Sequence, residues 1–198
     1  MINFISENKA YPYIKLKKLF KEAAKCNQES LEAILIASYA KDNMEVNARF
    51  VNLKIIDNEE FIFFSNYKSP KSQEFNSHEQ ISAVLFWNKI NTQIRIKAVI
   101  KKTSKEFNSL YFQERSFEKN ALAISSQQSE RISSFDRVKE NYKKCLETNN
   151  LKKCPDYWGG YSFKPYYFEF WEGHSSRLNK RDAYERDGNT WNHSILQP

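Results

Sequence analysis

The sequence has 198 residues, of which 40% are hydrophobic and 15% aromatic, and a formal net charge of +7. With only 4 glycines and 5 prolines, it excludes a disordered or collagen-like chain and predicts a folded protein with a substantial core. We expect a single domain over residues 1–198, with residues 1–12 as a flexible arm. Acidic residues are interspersed among the basic ones, so the charge suits a small anionic ligand as well as a nucleic acid.

The cysteines and the N-terminus indicate the compartment. Cys26, Cys145 and Cys154 are odd in number and fit neither a disulfide framework nor the spacing of metal ligands. The chain shows no leader pattern and no apolar run of about 20 residues. We therefore expect a cytoplasmic protein with free thiols, no metal and no contact with a membrane.

The first elements of the chain follow from hydrophobic spacing. Residues 13–26 repeat apolar side chains at helical intervals, which predicts an amphipathic helix with lysines on its solvent face. Short runs of β-branched or aromatic residues follow at 33–40, 48–56 and 61–65, separated by polar clusters. These runs predict three consecutive antiparallel strands.

The middle of the chain continues the same alternation. Ser69-Pro70 predicts the start of a helix, and the runs at 81–87 and 92–102 predict two further strands. In the second run the isoleucines share one face, which leaves Gln93 on the other face. This strand is expected to be half buried, with one face available to solvent or ligand.

The remaining elements define the fold class. Polar, leucine-containing stretches predict helices over 104–125 and 135–150, and aromatic runs predict strands at 166–171 and 190–196. This order favours a mainly β, α+β fold, in which helices pack outside an antiparallel barrel, over a parallel α/β fold. The four glycines form no phosphate-binding loop, so any phosphate must be held by side chains.

Several basic residues are candidates for binding an anion. Arg49 and Lys54 are separated by an odd number of residues, so they serve two partners on opposite faces of a strand or a bulge intervenes. The alternative is that both are ordinary solvated charges. Lys71 follows a helix start, where a cation is unfavourable beside the positive end of the dipole unless an anion binds there.

A second candidate group lies on the helix predicted over 104–125. Tyr111 and Arg115 are four residues apart and Lys119 follows one turn later, so the three could clamp a phosphate. The alternative is an exposed helix edge on which Arg115 pairs with Glu114 or Glu118.

From about residue 12 to Pro198 the sequence resembles the pyridoxamine 5′-phosphate oxidase family. The most specific match is the C-terminal succession of WGGY at 158–161, EFW at 169–171 and RL-x-x-R at 177–181. The supporting matches, in chain order, are R-x-V-x-L-K at 49–54, FFSN at 63–66, Lys71, Gln93, Tyr111-Phe112-x-x-Arg115, and Gln128-Ser129 ahead of Arg131-Ile132.

The resemblance implies a split β-barrel homodimer that uses FMN and O₂ to oxidise pyridoxamine or pyridoxine 5′-phosphate to pyridoxal 5′-phosphate and hydrogen peroxide. It implies that the residues contacting FMN, some across the dimer, are Arg49, Phe64, Ser65, Lys71, Gln93, Gln128, Ser129, Trp171 and Arg181. It implies that the residues contacting substrate are Lys54, Tyr111, Arg115, Lys119, Arg177 and Asn179, of which Arg177 and Asn179 are also catalytic.

Three positions depart from the family pattern. Pro70 stands where an arginine is usual, Lys119 where a serine is usual, and Asn179 where a histidine is usual. They leave open a related FMN oxidase with another ring substrate, of the phenazine-biosynthesis type, and a low-turnover protein that binds flavin or pyridoxal phosphate. Nucleic-acid binding is the least favoured function, because no recognised binding module is present. If residues 177–181 are extended, Arg177, Asn179 and Arg181 share one face.

Overall fold

The computed structural model describes residues 1–198, which form nine strands and five α-helices. In chain order these are β1 (Asn3–Phe4), α1 (Tyr11–Lys25), β2 (Ala33–Ala40), β3 (Glu45–Asp57), β4 (Glu60–Asn66), α2 (Pro70–Ser77), β5 (Gln80–Trp87), β6 (Thr92–Lys102), α3 (Lys105–Glu114), α4 (Phe117–Ser125), α5 (Phe135–Thr148), β7 (Trp158–Glu172), β8 (Lys180–Asp187) and β9 (Thr190–Ile195). None of the helices is long and apolar enough to cross a membrane.

Six of the strands close into a barrel. The hydrogen-bonded order is β1-β3-β2-β5-β6-β7-β8-β9, and β4 pairs with both β3 and β7. Strand β4 therefore completes a ring in which every neighbouring pair is antiparallel. Closure removes the edges that an open sheet would expose. The predicted antiparallel barrel with outer helices is confirmed.

The barrel is filled by a single cluster of 27 buried hydrophobic residues. Strand β6 shows the predicted alternation, because Ile94, Ile96 and Ile100 are buried whereas Gln93 stays partly exposed. Helix α1 adds side chains such as Leu16, which is 2% exposed, to the same cluster. Burial of an apolar face on each element is the main force that holds helix and barrel together.

In the second half of the chain, two differences from expectation lie in the helices after β6 and in β7. The helix predicted over 104–125 is two helices, because α3 ends at Glu114 and α4 starts at Phe117. The buried Asn120 amide on α4 donates to the carbonyls of Phe112 and Leu151 at 2.8 and 2.9 Å. The first of these hydrogen bonds ties α4 to α3. Strand β7 begins at Trp158, well before the predicted start at residue 166.

Residues 2–4, which fall in the predicted flexible arm over 1–12, pack against the barrel. Ile2 is buried in the core cluster, and residues Asn3 and Phe4 pair in parallel with Ile55 and Ile56 of β3. An apolar side chain with a strand edge to join gains more from burial than the segment loses in backbone entropy.

Candidate active site

A cleft of about 980 Å³ opens beside β3, β4 and the starts of α2 and α4. Ten of the residues predicted to contact FMN or substrate line it, namely Arg49, Lys54, Phe64, Ser65, Lys71, Tyr111, Arg115, Lys119, Gln128 and Ser129. These residues come from distant parts of the sequence, so it is the barrel that brings them together.

A β-bulge explains how two of the cations share this cleft. The register between β3 and β4 shifts between Leu53 and Ile55, so Lys54 is the extra residue of the bulge. As a consequence Leu53 and Ile56, three residues apart, both reach the core cluster. The bulge changes the alternation within β3, and Arg49 and Lys54 line the same cleft despite their odd separation. The bulge, one of the options left open by the sequence, is therefore present.

Arg49 is held by a buried carboxylate on α2. Its Nη2 donates to Glu74 Oε2 at 2.9 Å and its Nη1 donates to Ser38 Oγ. Ser38 donates in turn to Glu74, and Asn47 Nδ2 donates to Glu74 Oε1 at 3.0 Å. The side chain of Glu74 is only 7% exposed, whereas that of Arg49 is 24% exposed toward the cleft. Arg49 is therefore held in place by Glu74 and Ser38, and its exposed part lines the cleft.

Lys71 is a buried cation at the second position of α2. Its Nζ donates to Gln128 Oε1 at 2.7 Å and to Ser69 Oγ at 3.1 Å, and neither acceptor carries a charge. Burial, followed by the charge of Arg49, lowers the pKa of Lys71 to about 8. An anion between Arg49, Lys71 and the N-terminus of α2 would relieve this cost. These residues fit a phosphate group.

Arg115 occupies another part of the cleft and is poised for an anion. Its guanidinium lies 4.4 Å from the ring centroid of Trp158, and its Nη2 donates to the carbonyl of Lys119 at 3.2 Å. Its Nη1 is buried with no hydrogen-bond partner. The guanidinium forms no ion pair with Glu114 or Glu118, which was the alternative. A buried donor without an acceptor is costly, and an anionic ligand would satisfy it.

Aromatic stacking sets the position of Tyr111. Its ring stacks on Phe64 at 3.8 Å between centroids and 11° between planes, and Phe64 also stacks against Trp158 at 5.1 Å. Burial raises the pKa of Tyr111 and lowers that of Arg115. Lys119 lies on the helix after the break, yet lines the same cleft. The predicted group of Tyr111, Arg115 and Lys119 therefore forms across two helices rather than along one.

The other predicted residues lie at the far end of β7. Gln93 pairs with Trp171, and Trp171 pairs with Arg181, so the three form one row across β6, β7 and β8. Trp158 and Trp171 begin and nearly end the same strand, and 13 residues at 3.3 Å each place about 40 Å of strand between them. This second group is not part of the cleft within one chain.

Arg181 is held by a buried glutamate that the sequence did not point to. Glu169, 2% exposed, accepts from Arg181 Nε at 2.9 Å and forms an ion pair with Arg181 Nη2 at 2.8 Å. It also accepts from Arg95 Nη1 at 2.8 Å and from the Tyr167 hydroxyl at 2.9 Å. Burial and the charge of Glu169 raise the pKa of Tyr167 to about 12. Glu169 lies inside the EFW match, but nothing local distinguishes it from a surface acid.

The loop before β8 corrects a prediction about Arg177 and Asn179. Arg177 has φ of +63° and its N–H donates to the His174 carbonyl at 3.0 Å, so a turn rather than a strand is present. Asn179 Oδ1 accepts from the His174 N–H at 3.0 Å, and β8 starts only at Lys180. An extended run over 177–181, the condition for Arg177, Asn179 and Arg181 to share one face, is therefore not present. The Asn179 side chain closes the loop instead.

Solved structures with the same architecture define the class of protein. PhzG from Burkholderia lata 383, in complex with tetrahydrophenazine-1-carboxylic acid, matches with a TM-score of 0.87 at 26% identity, covering 94% of this chain and 92% of that chain. An FMN-binding, pyridoxamine 5′-phosphate oxidase-related protein of Nostoc punctiforme gives 0.78 at 9% identity, over 96% and 99% of the chains, a likeness of fold alone. The fold is that of the FMN-binding split barrels.

Similarity in sequence narrows this class to a family. Residues 158–198 match the family model described as the pyridoxine 5′-phosphate oxidase C-terminal dimerisation region. Pyridoxine/pyridoxamine 5′-phosphate oxidases of Leptospira interrogans and Colwellia psychrerythraea are 33% and 34% identical, over 94% and 84% of this chain and 88% and 77% of theirs. The chain belongs to the pyridoxine/pyridoxamine 5′-phosphate oxidase family. The family is FMN-dependent, in agreement with the predicted cofactor.

Proposed function

We propose that this protein oxidises pyridoxamine or pyridoxine 5′-phosphate with O₂, giving pyridoxal 5′-phosphate and hydrogen peroxide. With the amine as substrate, one water is consumed and ammonia is released. The observation that carries the proposal is that five cations line one cleft, namely Arg49, Lys54, Lys71, Arg115 and Lys119. We assign Arg49 and Lys71 to one phosphate and Arg115, Lys54 and Lys119 to another. One group suits the phosphate of a cofactor and the other the phosphate of a substrate.

In this proposal Arg49 and Lys71 hold the phosphate of FMN, with Ser65, Gln128 and Ser129 beside it. Support comes from the lowered pKa of Lys71, which a phosphate would reverse, and from the rear support of Arg49 by Glu74. FMN, when bound, supplies the acceptor for two electrons and returns them to O₂. The chain contributes binding and orientation rather than a nucleophile.

The substrate phosphate is assigned to Lys54, Tyr111, Arg115 and Lys119. Arg115 offers its unpartnered Nη1, Tyr111 a hydroxyl, and the lysines two ammonium groups. A phosphate fixed at this end orients the remainder of the ring compound toward the flavin end of the cleft. Positioning of this kind is the main contribution that a protein can make to a transfer between two bound molecules.

The site is proposed to be completed by a second copy of the chain. Gln93, Trp171 and Arg181 lie in one row at the far end of β7, and Arg177 projects from the loop beside them. None of these residues lines the cleft of its own chain, so in this proposal a partner subunit supplies them. The match of residues 158–198 to a dimerisation region supports a homodimer.

The proposal is tested with purified protein loaded with FMN. Pyridoxamine 5′-phosphate should yield pyridoxal 5′-phosphate and hydrogen peroxide in equal amounts, and pyridoxamine without phosphate should be a poor substrate. Arg137→Ala, which removes an exposed arginine on α5, is the matched control and should leave turnover unchanged. Saturable binding of pyridoxamine 5′-phosphate without peroxide would reject the oxidase and leave a binding protein.

A second candidate is an oxidase of the phenazine-biosynthesis type. The match to PhzG with its bound tetrahydrophenazine-1-carboxylic acid favours it. That ligand carries a carboxylate, which needs less positive charge than a phosphate dianion. Oxidation of tetrahydrophenazine-1-carboxylic acid in preference to pyridoxamine 5′-phosphate would replace the first proposal with this one.

A further inference from the structure

The carboxylate behind Arg49 has a consequence for cofactor binding. Glu74 is buried, and its two oxygens accept from Arg49, Ser38 and Asn47. It is the acidic partner of the cation that faces the proposed FMN phosphate. With Lys71 as the other cation, the three charged groups sum formally to a single positive charge. Helix α2 has no Lys or Arg other than Lys71.

We propose that Glu74 is a positioning residue that fixes Arg49 while limiting the affinity of the site for the FMN phosphate. The inference rests on the proposed function, since it assumes that FMN phosphate lies at Arg49 and Lys71. The chain gains a well-oriented guanidinium, but the negative charge of Glu74 offsets the positive charge of Arg49. We therefore expect FMN to dissociate more readily than it would from the same site without the charge of Glu74.

The geometry supports both parts of the inference. Arg49 uses one hydrogen each of Nη1 and Nη2 on Ser38 and Glu74, which leaves its other hydrogens for a ligand. A dianionic phosphate that accepts from these hydrogens comes close to Glu74 as well. Because Glu74 is 7% exposed, water and salt screen the repulsion weakly. The repulsion then acts directly against binding.

The effect can be separated from flavin binding in general. Riboflavin shares the ring system and ribityl chain of FMN but carries no phosphate, so the charge of Glu74 should not affect it. The ratio of the two dissociation constants isolates the phosphate contribution. A variant that merely loosens the fold would weaken both ligands together.

The test titrates FMN and riboflavin into flavin-free protein and follows the quenching of flavin fluorescence. Glu74→Gln keeps an acceptor for Arg49 and removes the charge. We expect its Kd for FMN to fall about tenfold or more, with the Kd for riboflavin unchanged within a factor of two. Asn47→Lys is the second variant, because it leaves Glu74 in place and supplies a counter-charge from the half-exposed position 47. It should also tighten FMN.

Each outcome decides between the possibilities. Tighter FMN with unchanged riboflavin supports the inference. Equal or weaker FMN binding by Glu74→Gln, with riboflavin unchanged, overturns it while the proposed function stands. If Glu74→Gln does not fold, the same comparison with Asn47→Lys decides. Failure of the wild-type protein to bind FMN overturns the proposed function together with the inference.

Discussion

Replacing Glu169 with glutamine should destabilise the protein substantially. The change removes the charge shared by three hydrogen bonds, from Arg181, Arg95 and Tyr167, and by the ion pair with Arg181 Nη2. Loss of one partner of a buried ion pair costs about 3–5 kcal/mol. The arginine side chains are 25% and 45% exposed, so water can replace part of the interaction. We expect a loss of about 2–3 kcal/mol in the free energy of unfolding.

For a chain of this size that loss corresponds to a Tm lower by about 5–10 °C. Urea unfolding and calorimetry at one fixed protein concentration would measure it, because association shifts apparent stability. Glu140→Gln is the matched control. It removes a helix-surface pair with Arg137 in which both side chains are more than half exposed, so the change should stay below about 0.5 kcal/mol. A Glu169→Gln protein within that range of wild type would refute the reasoning.

Two further predictions concern the cleft. Arg115→Ala removes the guanidinium that faces the proposed substrate phosphate, so kcat/KM for pyridoxamine 5′-phosphate should fall about 10- to 150-fold while the Kd of FMN is unchanged; parallel loss of FMN would contradict the division of roles. Lys71 has its pKa lowered from 10.5 to about 8, so the unfolded chain holds its proton more firmly and the ligand-free protein gains stability as pH rises from 8 to 10.5. Lys71→Met should be more stable than wild type by about 1–3 kcal/mol at pH 7, and this difference should vanish above pH 10.5 in chemical unfolding curves; a difference independent of pH would show that Lys71 is not desolvated.

The barrel could be predicted from sequence because its strands bury one face each. Strand β6 alternates without interruption, and its predicted bounds at 92–102 are those of the structure. Strand β8, with the sequence KRDAYERD, shows no such alternation. Its Asp182 is only 6% exposed because Lys15 and His193 pair with it, so a charged residue takes an inward position. Such pairing depends on distant residues and cannot be predicted from a local pattern.

The site was predictable only where short motifs carry it. The resemblance identified Arg49, Lys71 and Arg115, which do line one cleft. It assigned no role to Glu74 or Glu169, because acids that act through a neighbouring arginine leave no spacing signal of that role. The sequence also did not decide whether a bulge is present at Lys54, because a one-residue change of register leaves the composition of the strand unaltered. These features depend on tertiary contacts.

Strand β7 has a genetic consequence for the proposed dimer. One end of the strand places Trp158 at a subunit's own cleft, and in the proposed dimer the other end would supply Trp171 to the cleft of the partner subunit. A lesion at Arg115 and a lesion at Arg181 would therefore damage different halves of a shared site. In a mixed dimer of the two variants, one site would inherit both lesions and the other neither. Two inactive alleles could thus complement each other, because the mixed dimer keeps one intact site.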